Sequence, residues 1–159
     1  MRILQFLQPK KTLLKDQRVA AQIVTDVLLE LKALTKPGVS LPMLDELAER
    51  MIRERGATPY SKGYQPKWAP TPFPATICCS VDYEICHAPP RGRILQEGSI
   101  VKYDLGVKYK SGCGDAAITV AVGNVDNRKN RAMRYGLRAL MEGITVVKAG
   151  VPVSAIGRA

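Results

Sequence analysis

Val101-Lys102-Tyr103-Asp104-Leu105-Gly106-Val107-Lys108-Tyr109 places an apolar or aromatic residue at every second position. That is the pattern of a β-strand with one buried face. Val101, Tyr103, Leu105, Val107 and Tyr109 share that face, and Asp104 lies on the other. Gly114 to Val122 continues in the same way, with Ile118, Val120 and Val122 on one face and Asp115 opposite. The two stretches read as the arms of one β-hairpin. A turn centred on Tyr109-Lys110 sets Asp104 and Asp115 directly across from each other. A turn one residue later leaves them diagonal, still on the same face. Like charges facing each other across a ladder repel, and a divalent cation between them relieves this because carboxylate oxygens are its preferred ligands. The competing reading is a solvated hairpin, with Lys102 and Lys108 beside Asp104 and with Asp115 as a turn residue after Gly114.

Upstream of the hairpin, Ala20, Ile23, Val24, Val27, Leu28, Leu31 and Leu34 form one helical stripe within Leu14 to Thr35. Lys36-Pro37-Gly38 ends it. Ser40 reads as an N-cap, Pro42 falls in a first turn, and a second helix runs to Arg55, with Gly56 beyond its C-terminus. A proline-rich loop follows. A strand is expected within Ala75 to His87, joined through Pro89-Pro90 to the hairpin. A third helix is expected over about Asn127 to Lys148, with its stripe at Met133, Leu137, Leu140, Met141, Ile144 and Val147. Lys148-Ala149-Gly150-Val151 then repeats the junction Lys36-Pro37-Gly38-Val39, and Pro152-Val153-Ser154 resembles another helix start. The chain reads as the front half of a duplicated architecture.

At 159 residues the prior is one domain. Apolar runs are too short to span a bilayer, and the first ten residues do not resemble a signal peptide, so a cytoplasmic location is expected. Cys78, Cys79, Cys86 and Cys113 have no zinc-type spacing, and they read as reduced core or pocket residues. The net charge of +10 could serve an RNA or ribosome contact. Its clusters, Lys10 to Arg18 and Arg128 to Arg138, also read as solvated helix faces, and no motif for specific DNA binding accompanies them.

Taken in order, Lys36-Pro37-Gly38-Val39-Ser40, Leu44 to Glu49, Gly56-Ala57-Thr58-Pro59, Gly63-Tyr64, Phe73 to Val81, His87, Gly98 to Val101, Asp104 and Gly114 to Ala117 follow a known pattern. The chain resembles the type I methionine aminopeptidases from about Arg18 onward. The resemblance implies the α+β "pita-bread" fold of the creatinase/aminopeptidase superfamily, here its first pseudo-repeat half, an antiparallel curved sheet with covering helices. It implies removal of the initiator methionine from nascent polypeptide N-termini. It also implies two divalent metal ions of the cobalt, manganese, iron or zinc class, with Asp104 chelating one and Asp115 bridging both. His87 would contact the substrate near the scissile amide, and Ser61, Tyr64, Phe73 and Cys78 would line the methionine pocket, where rings favour a thioether.

The departures are specific. His87-Ala88-Pro89-Pro90 stands where the family has His-Gly-Ile-Pro, which stiffens the loop and removes a donor. Asp82 replaces an asparagine, and Gln65 to Pro72 is an insertion. The family completes its ligands with a further histidine and two glutamates. After Asp115 this sequence has no histidine, and Glu142 is its one glutamate. Residues 1–159 are therefore expected to be a single, incomplete metallopeptidase domain, its metals only partly liganded and inactive alone. The alternative is a non-catalytic half-fold homologue that docks on a ribosome or another protein.

Overall fold

In the computed structural model, which describes residues 11–159, the first stripe folds as helix α1 (Lys11–Leu34). The expectations placed on the first ten residues lie outside the described residues. α1 buries Ala20, Ile23, Val24, Val27, Leu28 and Leu31, as their spacing requires. After Gly38, at φ +86, the chain enters helix α2 (Leu41–Glu54). Ser40 is its N-cap, yet the hydroxyl makes no capping bond. Backbone groups do this work instead: the Leu41 amide donates to the Arg93 carbonyl at 2.9 Å, and Ser40 forms a bridge with Ile94.

Four strands follow: β1 (Thr58–Pro59), β2 (Cys78–Val81), β3 (Ile100–Tyr109) and β4 (Gly112–Ala121). β3 is central. β2 and β1 pair antiparallel along one of its edges, and β4 pairs along the other from Ile100↔Ala121 to Tyr109↔Gly112. One face of this sheet packs Val101, Tyr103, Leu105, Val107 and Val120 against the stripes of α1 and α2. Gly112 and Gly114 face α1 so closely that a Cβ would lie 2.2 Å from the Gln17 nitrogen and 2.6 Å from the Ala20 carbonyl carbon respectively. The other face carries Asp104 and Asp115.

The strand expected across Ala75 to His87 shortens to β2, because Asp82 (φ +51) and His87 (φ +56) leave the extended region. Cys86 thus sits outside any strand. Inside the core, the Tyr103 hydroxyl meets the Thr35 hydroxyl at 2.8 Å, while Thr35 also bonds the Leu31 carbonyl at 2.7 Å. Burial pushes the Tyr103 phenol up to about 12. Tyr103→Phe is expected to lower the unfolding free energy by about 1 kcal/mol, measured by urea denaturation. No change in midpoint would show that this bond contributes nothing net.

Residues 124–159 form a compact unit of their own. Helix α3 (Asn127–Thr145) starts on Asp126, whose carboxylate accepts the Lys129 amide at 2.8 Å, and it stops short of the expected Lys148. Leu137, Leu140, Met141, Ile144 and Val147 are exposed; the buried residue of α3 is Gly143. Ile156 packs there, 3.3 Å from where a Cβ would stand. The expected fourth helix is a 3-10 helix, Val153–Arg158. The turn residue Gly150 has φ +84, matching Gly38 at the first junction.

Candidate metal centre

β3 and β4 are joined by a turn at Lys110-Ser111, so Asp104 pairs with Ala117 and Asp115 with Gly106. The carboxylates are therefore diagonal neighbours on one face, the second of the two registers the sequence allows. Gly106 makes room between them. A Cβ there would stand 3.3 Å from Asp115 Oδ2 and 3.1 Å from the Tyr60 Cβ. Tyr60 is itself fastened by its amide to the Gly106 carbonyl at 2.8 Å.

The lysines of the solvated-hairpin reading do not neutralise this pair. Lys102 Nζ donates to the carbonyls of Asp82, at 3.1 Å, and Glu84 instead. Among the described residues Asp115 has no ion-pair partner, and the basic group within ion-pair distance of Asp104 is His87, with Nε2 3.8 Å from Oδ2. Burial, and next the Asp115 charge, raise the Asp104 carboxyl above its usual range, with His87 pulling the other way. Two acids of one sign, short of partners and offering hard oxygens on one face, fit a divalent cation.

The raised Asp104 has a consequence for stability. A carboxyl whose folded pKa lies above its unfolded value favours the fold while protonated, and this is lost as pH rises from the usual carboxylate value through the raised one. Asp104→Asn is therefore expected to raise the melting temperature of the metal-free chain at neutral pH. It should also abolish the further rise that divalent cations produce in the parent. Calorimetry with and without Mn²⁺ checks both. A lower metal-free melting temperature would contradict the cost assigned to burying this charge beside Asp115.

His87 is placed by its neighbours. The Cys79 amide donates to the Ala88 carbonyl at 2.7 Å, and the Ala88 amide reaches Ser80 Oγ at 3.4 Å. The groups that hold the segment are on Ala88, so the prolines after it remove no donor used here. Upstream, Glu84 accepts the Val81 amide at 2.9 Å and grips Arg93 through two bonds, at 2.7 and 2.8 Å. The Val81 bond first, and then Arg93, hold the Glu84 carboxyl below the usual range. Asp82 accepts the Ile100 amide at 3.1 Å, and its short side chain suits the left-handed backbone there.

The proposed pocket residues arrive by two routes. Ser61, Tyr64 and Phe73 are gathered at the neck of a loop: the Tyr64 amide bonds Ser61 O at 3.0 Å, Phe73 N bonds Tyr64 O at 2.8 Å, and Gly63 N bonds Phe73 O at 2.9 Å. The insertion Gln65 to Pro72 projects beyond this neck, with Trp68 86% exposed. Cys78 comes with β2, paired to Asp104, its thiol pushed up to about 12 by burial and next by Asp104. The segment entering β2 is held by Asp45, which accepts the Thr76 and Ile77 amides at 2.9 Å each.

Of the four cysteines read as core or pocket residues, Cys78 and Cys79 are buried, whereas Cys86 and Cys113 are exposed. Cys86 Sγ, a His87 ring nitrogen and an Asp104 oxygen lie within 4.8 Å of one another. The sequence reading missed this grouping, because adjacent residues of the strand expected there would point apart. An open hollow along α3, lined by Arg131, Arg134, Tyr135 and Arg138, contains none of the candidate site residues.

A model of metallopeptidase family M24 matches residues 15–159. The chain belongs to that family. Membership in this metallopeptidase family carries a requirement for a divalent metal, which the Asp104–Asp115 pair fits. The chain is 37% identical over 142 residues to methionine aminopeptidase 1 of Bacillus subtilis, covering 89% of this chain and 55% of that relative. Among solved structures, methionine aminopeptidase from Rickettsia prowazekii superposes with a TM-score of 0.85 at 29% identity, over 94% of this chain and 58% of the other. The Thermotoga maritima methionine aminopeptidase gives a TM-score of 0.87 at 25% identity, with the same coverage. The fold is therefore the α+β pita-bread fold of these M24 enzymes. The chain spans about half the length of the curated relatives it matches.

Proposed function

We propose that this chain carries the aspartate half of a methionine-releasing aminopeptidase centre. The observation that supports it is the diagonal pair Asp104 and Asp115 on one strand ladder, with His87 Nε2 3.8 Å from Asp104 Oδ2. In this reading Asp104 and Asp115 would both hold divalent metal, and a further histidine and two glutamates of the family's ligand set would complete the centre. A metal held there would supply Lewis acidity for hydrolysis of the scissile amide. Ser61, Tyr64, Phe73 and Cys78 receive the methionine side chain, the aromatic rings offering sulfur contact. His87, outside the hard-oxygen pair, orients the substrate amide and donates or accepts a proton there. Substrates are the N-termini of nascent polypeptides in the cytoplasm. No helix of the described residues is long and apolar enough to cross a membrane.

A second reading has a specific observation behind it. Arg128, Arg131, Arg134 and Arg138 lie exposed on α3, and a non-catalytic homologue could use such a face to dock on a ribosome.

A hybrid tests the proposal. This chain replaces the matching part of the Bacillus subtilis relative, and methionine release from a Met-Ala-Ser peptide is assayed with Mn²⁺. Turnover supports the enzyme. A folded, metal-loaded hybrid without turnover, together with salt-sensitive ribosome binding by the 159-residue chain, would support the docking module.

A further inference from the structure

Cys86, His87 and Asp104 present three different donors, a thiol sulfur, an imidazole nitrogen and a carboxylate oxygen, within 4.8 Å of one another. Neighbouring residues of an extended chain project to opposite sides, so a Cys-His pair in a strand does not aim both donors at one point. His87 has φ +56. A residue with a side chain holds that left-handed conformation only where its surroundings impose it. The reversal brings the Cys86 thiol and the His87 ring to the same carboxylate.

The surroundings that impose it are visible on both sides. Behind His87, Ala88 is buried and bonded to β2 through the Cys79 amide at 2.7 Å. Ahead of Cys86, Glu84 is fastened by Arg93 at 2.7 and 2.8 Å, and its carbonyl by Lys102. The third donor, Asp104, is fixed in the middle of β3. Two of the three donors thus sit on a loop tied at both ends, and the third on the central strand of the sheet. This is the preorganisation a metal site requires.

We propose that Cys86, His87 and Asp104 form a second cation site, softer than the Asp104–Asp115 pair, which takes a zinc-class ion. The donor chemistry separates the two sites. Paired carboxylates select hard cations such as Mn²⁺ or Mg²⁺, whereas a thiolate and an imidazole favour Zn²⁺, Co²⁺ or Cd²⁺. Three protein ligands leave the fourth tetrahedral position for water or a substrate group. Cys86 and His87 are exposed, so the ion enters directly from solvent. Both sites draw on Asp104. Resting on the function proposed above, an ion in the softer site would take His87 from the substrate and inhibit turnover; the binding of the ion does not depend on that function.

The test titrates Co²⁺ into the 159-residue chain under a thiol-free reductant, following thiolate-to-cobalt charge-transfer absorption in the near ultraviolet. The parent should show the band, and Zn²⁺ should remove it by displacement. Cys86→Ser and Cys86→Ala should both abolish it, with circular dichroism unchanged because the side chain is exposed. His87→Ala should weaken Co²⁺ binding by about tenfold or more. Cys113→Ser, at the other exposed thiol, and Asp115→Asn should retain the band. A band that survives loss of Cys86, or that disappears with Cys113, overturns the site. Mn²⁺ binding lost in Asp115→Asn but kept in Cys86→Ser reports on the carboxylate pair separately. A chain with the band whose hybrid releases no methionine would keep the soft site and lose the proposed function.

Discussion

Asp115→Asn is expected to lower methionine release by the hybrid at least about a thousandfold, equivalent to ~4 kcal/mol of barrier at 1.36 kcal/mol per factor of ten. The argument is one of charge and count. Asp115 stands diagonal to Asp104, and no cation among the described residues pairs with it. An amide keeps the shape but removes the negative charge, and one of its two lone-pair oxygens becomes a donor, so it is a poor ligand for a hard cation. Asp104→Asn should have an equal effect. His87→Ala should differ in kind, with turnover falling about a hundredfold, the lower end of general acid–base contributions, and Mn²⁺ content after dialysis unchanged. If His87→Ala strips Mn²⁺ as Asp115→Asn does, the division between the carboxylate pair and His87 is wrong. The 159-residue chain alone should release no methionine with Mn²⁺, because two carboxylates do not hold two ions in a fixed geometry. Release that vanishes in Asp115→Asn would refute that expectation.

Gly114→Val is expected to have the largest effect on stability, about 3 kcal/mol or more, with Gly112→Val close behind. The two glycines lie under α1 on the core side of β4. A Cβ at Gly114 would fall 2.6 Å from Ala20 and Ala21 backbone atoms, and one at Gly112 would fall 2.2 Å from the Gln17 nitrogen. Backbone atoms of a helix cannot rotate aside as a side chain does, so α1 must lift from the sheet. Lifting it opens the packing of Ile23, Val24 and Val27 against Val101 and Val120, all of one core cluster. Interiors packed this closely have no slack to absorb the shift. Urea denaturation of Gly114→Val beside Gly143→Ala on α3 would show whether the cost is local. At Gly143 a Cβ would meet the Ile156 side chain at 3.3 Å, which can give way, and the Ile156 carbonyl oxygen at an ordinary contact distance of 3.9 Å. Equal losses at the two sites would contradict the helix-on-sheet argument.

Several features were legible in the residues alone because short-range periodicity carries them. The stripe Ala20 to Leu31 specified α1 and its buried face. The alternation from Val101 to Tyr109 specified β3, and strand period alone put Asp104 and Asp115 on the sheet face away from the core. The order of motifs from Lys36 to Ala117 pointed to the M24 fold. The α3 stripe had the right period, yet its apolar residues from Leu137 to Val147 are exposed: periodicity reports a helix and says nothing of what packs on it. Other features depended on contacts distant in sequence. The hairpin register turned on one residue in the turn, a difference too small for alternation to resolve. Ser40 kept its N-cap position without a side-chain bond, while the Arg93 carbonyl, distant in sequence, took the Leu41 amide. Most of all, a positive φ at His87, imposed by Ala88 on β2 and by the Glu84, Arg93 and Lys102 ties, brought Cys86 beside His87 and Asp104. Backbone reversals of that kind depend on surrounding tertiary bonds, and no local pattern of residue types encodes them.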